Sequence, residues 1–355
     1  MSTENNKKEG RTLLKRTIIL FNKKQAEKQI KILIKNWIRI LKVRLGWIDE
    51  FDKIVIEYIK YFKLLKILEG HEGEINNVKF SKDNRMIISS SDDKTIRIWD
   101  IVSGKQIQII KIHSHFVFSA EFSPNEKIVA SCSADKTIQL WDLITKTNLK
   151  KFRGHSDWIR DICFSNDGKY IVSCSPDRTI RIWNVNTGIN MHSLSTRSFN
   201  TNSVHFSPND QIIVLSSSDN NIYLWNIINL NSIDMLKILK GHSGPVWSAK
   251  FSPNGQFIVS CSKDTTIRIW DLKSEKQIKI MKGHNSDVND VLFSSDGQFI
   301  ISCSEDKTIC LWDVKSGDKI ETLEGHFSSI TKIDLSSDGN TLVSCSADRT
   351  IRIWG

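Results

Sequence analysis

The stretch "SADRTIRIWG", residues 346–355, decides how this chain is interpreted, because it breaks off in the middle of a structural pattern. Its first four residues are typical of a tight turn, and the alternation in "TIRIW" predicts a β-strand. A strand with an open edge exposes a row of unpaired backbone N–H and C=O groups. The fold therefore depends on which other segment of the chain lies beside this strand.

The same pattern recurs along most of the chain. Each copy contains four short β-prone runs separated by turn residues, and helical periodicity is absent from this region. The copies are marked by tryptophans at spacings of 42, 42, 42, 45, 42 and 42 residues, namely Trp99, Trp141, Trp183, Trp225, Trp270, Trp312 and Trp354. Self-similarity at a fixed period of this length indicates a repeat architecture.

A Gly-His pair stands about 28 residues before the Trp in five of the seven copies, three of which continue as Trp-Asp, and this pattern resembles the WD-repeat family of β-propellers. The resemblance covers about residues 62–355 and implies four-stranded blades around a central channel. Six repeats have one more strand after the Trp run, whereas "KLLKIL", residues 63–68, precedes the first repeat without a Trp strand of its own. We therefore predict that residues 63–68 form the outer strand of the last blade. The predicted fold is all-β, a seven-bladed WD-repeat propeller with a basic helical N-terminal extension.

The N-terminal extension carries most of the net charge of +10. Residues 1–60 contain 15 Lys or Arg and 7 Asp or Glu. Residues 1–24 are predicted to be a basic flexible tail, and residues 25–61 a helical extension, because Leu33, Trp37 and Leu41 follow helical spacing. The basic residues among 23–44 either form a solvated face of a helix docked on the propeller or contact nucleic acid or an anionic surface.

Composition narrows the class of protein. No apolar run approaches the ~18–20 residues needed to span a bilayer, and "TIILF" is too short and too lysine-flanked for a signal peptide. We therefore predict an intracellular protein, cytoplasmic or nuclear or both, without a transmembrane segment. The seven cysteines form no Cys-x-x-Cys pair, so they are expected to be reduced and to bind no metal. No cofactor is predicted.

His, Ser, Asp and Trp recur at fixed spacing in six repeats. An indole N–H only donates, a hydroxyl and a neutral imidazole both donate and accept, and a carboxylate only accepts, so the four groups can satisfy one another. The resemblance implies the same structural tetrad, and six buried copies do not suit a catalytic nucleophile. Three of the predicted tetrads are His71, Ser89, Asp93 and Trp99; His155, Ser173, Asp177 and Trp183; and His242, Ser260, Asp264 and Trp270. The other three begin at His113, His284 and His326.

The fourth repeat departs from this pattern. Arg197 stands in the His position, Leu215 in the Ser position and Asn221 in a Thr position, while Asp219 and Trp225 remain. We hypothesise that Arg197 pairs with Asp219 and that the fourth blade is the least rigid.

The strand after each His predicts a binding rim. Apolar residues fall four, seven and nine places after the His, as in Ile75, Val78 and Phe80, and this broken alternation predicts a β-bulge. The bulged residue, and the residue two places earlier, are expected to project from the top rim, where related propellers commonly bind peptides. The predicted partner-binding residues are Phe116, Phe118, Trp158, Arg160, Trp247, Asn76 and Asn289. The alternative is that these aromatic side chains only pack between blades.

The predicted function is a non-catalytic scaffold that binds a protein or peptide on the top face of the propeller, as a subunit of a larger complex. The alternative is a subunit of a ribonucleoprotein or chromatin assembly whose basic N-terminal helix contacts nucleic acid. An enzyme would need a unique polar cluster that is not repeated, and the sequence contains none.

Overall fold

The structure is a computed structural model that describes residues 62–196, 200–229 and 232–355. The residues in these ranges form strands and turns, and none of them belongs to a helix, let alone one long and apolar enough to cross a membrane. Phe62–Gly355 form one compact unit. The predicted tail at residues 1–24, the predicted helices at 25–61 and Arg197 lie outside the described residues.

The chain forms one strand before the first repeat and then four strands in each of the first three blades. The first strand is β1 (Leu64–Glu69). Blade one contains β2 (Ile75–Phe80), β3 (Met86–Ser91), β4 (Ile96–Asp100) and β5 (Gln106–Ile110). Blade two contains β6 (Val117–Phe122), β7 (Ile128–Ser133), β8 (Thr137–Asp142) and β9 (Thr147–Arg153). Blade three contains β10 (Asp161–Phe164), β11 (Tyr170–Cys174), β12 (Thr179–Asn184) and β13 (Asn190–Ser195).

The remaining blades repeat this arrangement. Blade four contains β14 (Thr201–Phe206), β15 (Ile212–Ser217), β16 (Asn221–Asn229) and β17 (Ser232–Lys240). Blade five contains β18 (Val246–Phe251), β19 (Phe257–Ser262), β20 (Thr266–Asp271) and β21 (Lys276–Lys282). Blade six contains β22 (Val288–Phe293), β23 (Phe299–Ser304), β24 (Thr308–Asp313) and β25 (Lys319–Glu324). Blade seven receives only three strands from its own repeat, β26 (Ile330–Leu335), β27 (Leu342–Ser346) and β28 (Thr350–Trp354).

The seven sheets close into a ring. Each sheet is antiparallel and four-stranded, and the first strand of each blade contacts the first strand of the next, including β26 with β2. The seventh sheet has the strand order β1-β28-β27-β26, with Leu68 opposite Ile351 and Glu69 opposite Thr350. The strand beside "TIRIW" is therefore β1. The architecture is all-β with seven blades, as the sequence predicts.

Successive turns of an antiparallel sheet alternate between its two ends, which defines two faces of the disc. The turns between the second and third strands, and the connections from one blade to the next, lie at one end, which we call the top face. The other turns lie at the bottom face. Between blades, apolar side chains from both sheets form the core. At the junction of blades seven and one, for example, Ile75 and Val78 pack with Val343 and Ile353.

Candidate functional site

The tetrads lie beneath the top face as buried hydrogen-bond relays. In blade one, His71 Nδ1 lies 2.7 Å from Asp93 Oδ2, and His71 Nε2 lies 2.7 Å from Ser89 Oγ. Trp99 Nε1 donates to the same Ser89 Oγ at 2.9 Å. The same three contacts occur in blades three, five, six and seven, through Trp183, Trp270, Trp312 and Trp354. Each relay joins the connection before a blade to its second and third strands.

The charge state of the relay follows from burial and hydrogen bonding. Burial lowers the pKa of His71 against the opposing effect of Asp93, so the imidazole is neutral, donates to the carboxylate and accepts from the serine. Although burial acts to raise it, hydrogen bonds from His71 and Thr95 hold the pKa of Asp93 well below its usual range. Ser89 is fully buried and already bonded to His71 and Trp99. Its hydroxyl cannot reach a substrate, so the relay suits a structural role.

Blade two contains all four tetrad residues, yet its relay is incomplete. His113 lies 2.8 Å from Asp135 and 2.9 Å from Ser131. However, Trp141 Nε1 is buried without a hydrogen-bond partner among the described residues. The sequence motif therefore does not by itself ensure the Trp–Ser bond.

Blade four replaces the relay with different contacts. Leu215 is fully buried in the Ser position, and Trp225 Nε1 is buried without a hydrogen-bond partner in the part of the chain that the structure describes. Tyr223 Oη donates to Asp219 Oδ2 at 2.5 Å. Because Arg197 lies outside the described residues, its predicted pairing with Asp219 stays a prediction. Tyr223 was not among the residues predicted from the sequence, although an aromatic hydroxyl where four other blades have Arg was a signal.

The first strands contain the bulges that the broken alternation predicts. The pairing register shifts between Ile75 and Asn77 in blade one and between Val246 and Ser248 in blade five. Equivalent shifts occur in blades two, four, six and seven. In blade three the paired region of β10 begins only at Asp161, next to Arg160. The bulged residues lie at the top end of each first strand.

The polar bulge residues link one blade to the next. Asn76 Nδ2 donates to Val117 O at 3.0 Å and to Asp92 Oδ1 at 2.8 Å. Asn289 Nδ2 donates to Ile330 O at 2.9 Å. Asn202 and Thr331 make equivalent bonds to Val246 O and Ile75 O. Asn76 and Asn289 thus already have partners inside the ring, and any contact with a binding partner would compete with them.

Four of the five remaining predicted rim residues lie on blades two and three. The Phe118 and Trp158 rings have centroids 5.9 Å apart, and Trp158 is 42% exposed. Phe118 also packs on the core between these blades. Arg160 is partly buried, and its Nε has no hydrogen-bond partner among the described residues. We call Phe116, Phe118, Trp158 and Arg160 the aromatic sector, since Phe116 lies partly exposed on the connection that leads to Phe118.

Trp247 lies apart from the aromatic sector, on blade five. Its Nε1 donates to Asp287 Oδ2 of blade six at 3.3 Å, and its ring packs on the core between blades five and six. The structure therefore separates one predicted aromatic anchor from the others. Packing between blades accounts for part of its burial.

Charged residues line the inner wall of the ring, and they were not among the residues predicted from the sequence. Lys250 Nζ lies 2.8 Å from Asp290 Oδ1, and Lys332 Nζ lies 3.6 Å from the same oxygen. Lys79 Nζ lies 3.6 Å from Asp334. Each pair joins neighbouring blades, so these contacts link blades across the channel wall. The available signal was a charged residue six or eight places after the tetrad His, inside an otherwise apolar strand.

Two carboxylates, Glu121 and Asp161, lie on the first strands of blades two and three. Burial raises the pKa of Glu121 to about 7, and it also raises the pKa of Asp161. Burial lowers the pKa of the neighbouring His205 well below its ordinary value.

Within the described ranges, no group of three or more His, Cys, Asp or Glu side chains could hold a metal ion. The seven cysteines are unpaired thiols, and burial raises the pKa of Cys345 to about 12.

Curated relatives match short stretches of this chain. Periodic tryptophan protein 2 of Saccharomyces cerevisiae is 43% identical over 61 residues, which are 17% of this chain and 6% of that protein. WD repeat-containing protein 36 of Homo sapiens is 40% identical over 57 residues, 16% of this chain and 6% of that protein. Target of rapamycin complex subunit LST8 of Saccharomyces cerevisiae is 49% identical over 35 residues, 10% of this chain and 12% of that protein. The chain thus spans a small part of each of these relatives.

The family described as WD domain, G-beta repeat (WD40) matches the chain in seven segments. They are residues 62–100, 104–142, 146–184, 189–226, 233–271, 275–313 and 317–355. Each segment combines the outer strand of one blade with the three inner strands of the next, so the first segment begins with β1. The matched segments cover most of the chain, and the chain therefore belongs to the WD40 repeat family.

Proposed function

We propose that this propeller is a non-catalytic scaffold that binds a protein or peptide on its top face through the aromatic sector. WD-repeat propellers are typical of protein-interaction scaffolds. The observation that carries the proposal is the position of Trp158, which is 42% exposed on the top face beside Phe118. Large aromatic side chains and arginine are the residue types that most often dominate binding energy at protein interfaces.

The proposed scaffold works as a subunit of a larger complex. One relative is, by its name, a subunit of the target of rapamycin complex, and that likeness supports a subunit role without identifying a partner. The buried relays support the absence of catalysis, because each serine hydroxyl of a complete relay is held between an imidazole and an indole.

Alanine substitution tests the proposal. The wild-type full-length chain and the Trp158→Ala, Arg160→Ala double variant are used for affinity purification, and bound proteins are quantified by mass spectrometry. We expect at least one specific partner to be depleted about tenfold or more, since two central anchors contribute ~2 kcal/mol or more each. Trp247→Ala tests the separate anchor on blade five in the same way.

The matched control is Ile144→Ala, which removes a 74%-exposed apolar side chain from the bottom face of blade two. This variant should retain the partners that the wild type binds. If the double variant has the melting temperature of the wild type and retains every partner, the top-face proposal is overturned.

The second candidate, a ribonucleoprotein or chromatin subunit, depends on residues 23–44, which lie outside the described residues. The excess of positive charge in residues 1–60 favours it. Full-length chain with Lys31→Glu, Lys35→Glu and Arg39→Glu should then lose an electrophoretic mobility shift of RNA or DNA that the wild type produces. Equal shifts from both proteins would remove this candidate.

A further inference from the structure

We propose that the peptide bound by the aromatic sector is acidic, with a bulky apolar side chain on Phe118 and Trp158 and an Asp or Glu carboxylate on Arg160. This inference rests on the proposed function and specifies the chemistry of the partner. It is carried by three observations: the spacing of the anchors, the hydrogen-bonding state of Arg160, and the distribution of charge over the top face.

The spacing of the anchors sets the spacing within the peptide. Ile159, between Trp158 and Arg160, is 1% exposed and packs in the core between blades two and three. The amide of Ile159 donates to Ser133 O of blade two, and the amide of Arg160 donates to Cys174 O of blade three. The chain is therefore extended here, which sets the Cα atoms of Trp158 and Arg160 ~6–7 Å apart on the same side of the backbone. An extended ligand matches this distance when its apolar residue and its carboxylate are two positions apart.

One N–H group of the Arg160 guanidinium is not used by any described residue. Its Nε is buried without a hydrogen-bond partner among the described residues. A planar guanidinium binds a carboxylate through two parallel hydrogen bonds. Lys136 Nζ donates to Ser156 O at 2.8 Å, which holds a second cation near the backbone two residues before Trp158.

The charges of the top face are unequal between its two halves. The top face comprises the turns between the second and third strands and the connections from one blade to the next. The last residue of the strand before each connection is included, and the tetrad carboxylate, which every blade has, is left out. Only described residues are considered. Blades two to five have seven cations and one carboxylate, namely Lys111, Lys136, Arg153, Arg160, Arg178, Lys240 and Lys263 against Asp157. Blades six, seven and one have four cations and seven carboxylates, namely Lys94, Lys282, Lys307 and Arg349 against Glu69, Glu72, Glu74, Asp92, Asp287, Glu305 and Glu324. The aromatic sector thus lies in the basic half.

This charge distribution favours one class of peptide and one orientation of that peptide on the top face. Complementary charge favours an acidic peptide over blades two to five and accelerates its encounter with the protein. Glu72, Glu74 and Asp92 on the adjacent blade one repel the same carboxylates, so a peptide turned the opposite way is disfavoured. The acidic residue is therefore placed over blade three, and the end of the peptide on the other side of the apolar anchor points toward blade one.

A peptide-display selection on the full-length chain tests the inference. The probe is an unphosphorylated library of random twelve-residue peptides, selected against the wild type, Arg160→Glu, Trp158→Ala and Arg85→Ala. Arg85 is a matched arginine on the bottom face, with a side chain 82% exposed. We expect wild-type selections to enrich Asp or Glu two positions from a bulky apolar residue, at least fivefold over the unselected library.

Each variant has a distinct expected result. Arg160→Glu should lose the acidic preference and enrich Lys or Arg at that position while the apolar preference remains. Trp158→Ala should lose the apolar preference, and Arg85→Ala should select the same peptides as the wild type. If wild-type peptides show the apolar residue without Asp or Glu, or with Lys or Arg, this inference is overturned while the proposed function stands. If the wild type selects no peptide at all, this inference is overturned, and the affinity purification with the double variant decides the proposed function separately.

Discussion

Blades two and three contain the same four tetrad residues at the same spacing, but they differ at the residue before the histidine. Blade three has Gly154 there and forms the complete relay, with Trp183 Nε1 donating to Ser173 Oγ at 2.8 Å. Blade two has Ile112, and Trp141 Nε1 is unpaired among the described residues. The difference shows that the relay needs space beside the indole as well as the right four side chains.

The geometry of the glycine explains why space is limiting. A Cβ added to Gly154 would lie 3.1 Å from Trp183 Cη2 and 2.6 Å from Arg181 Nη1. The glycines of blades one, five, six and seven have the same close approach to their tryptophans, at 2.9 to 3.2 Å. All five blades with this glycine form the Trp–Ser bond, whereas Ile112 and Thr196 occupy the position in blades two and four. The sheets of blades two and four still have four paired strands, so the relay adds to a fold that backbone pairing and apolar packing already produce.

The largest effect is expected when blade three is given the residue of blade two. Gly154→Ile should displace Trp183, break its bond to Ser173 and lower the free energy of unfolding by about 3 kcal/mol or more, because it combines overpacking with an unpaired buried donor. Urea denaturation of the full-length chain measures this change. The double variant Gly154→Ile, Arg181→Gln gives blade three the same two residues as blade two, Ile112 and Gln139. It should recover part of the lost free energy of unfolding. A single variant as stable as the wild type would contradict the spatial explanation.

In blade six, Cys310 occupies the position that Arg181 has in blade three. Although burial acts to lower it, hydrogen bonds with Asp306 and Cys310 raise the pKa of His284 to about 9. In blades one, five and seven, burial lowers the pKa of the histidine, and a nearby arginine lowers it further. Cys310→Arg should therefore bring the pKa of His284 below its ordinary value of 6.5. Titration of the imidazole Cε1–H signal by NMR measures it.

The sign of the pH dependence follows from the two states. In the wild type, the contribution of His284 to stability is complete below about pH 6.5 and is lost as the pH rises through about 9. In the variant, this histidine should stabilise the fold above pH 6.5 and lose that effect as the pH falls, as His71 does. Cys303→Ser, a buried change in the same blade, is the control and should leave the pKa of His284 near 9. An unchanged pKa in Cys310→Arg would refute the role of the neighbouring arginine.

The smallest effect is expected from the reverse change in blade two. Ile112→Gly should let the Trp141 indole move toward Ser131 and slow hydrogen exchange of its Nε1–H by about tenfold, the equivalent of one buried hydrogen bond. The indole N–H signal of Trp183 in the same NMR spectrum is an internal control and should not change. If the hydrogen exchange rate of the Trp141 Nε1–H does not change, the side chain of Ile112 is not what prevents the bond between Trp141 and Ser131.

The repeat spacing was sufficient to predict seven blades, the four strands of each and the bulges near the top face. Strand alternation and turn residues are local signals, and seven copies reinforce each other. The same signals could not show that the Trp247 indole bonds to Asp287, or that Asn76 and Asn289 link neighbouring blades. Those contacts join residues about 40 positions apart, so no local pattern contains them. Lys79, Lys250 and Asp290 were visible in the sequence as charged residues within apolar strands, but the ion pairs that they form join neighbouring blades and were missed.

The sequence by itself determined that this chain is a seven-fold repeat and that residues near its beginning match the strand its last repeat lacks. Periodicity decides these points, since each repeat has the same strands and turns. Only the tertiary structure decided which relays are complete and which rim residues meet. Both depend on distances of a few ångströms between side chains on different strands and blades, such as Trp183 beside Gly154 and Phe118 beside Trp158. Close packing leaves no room for one extra side chain at such contacts, and spacing along the chain does not record it.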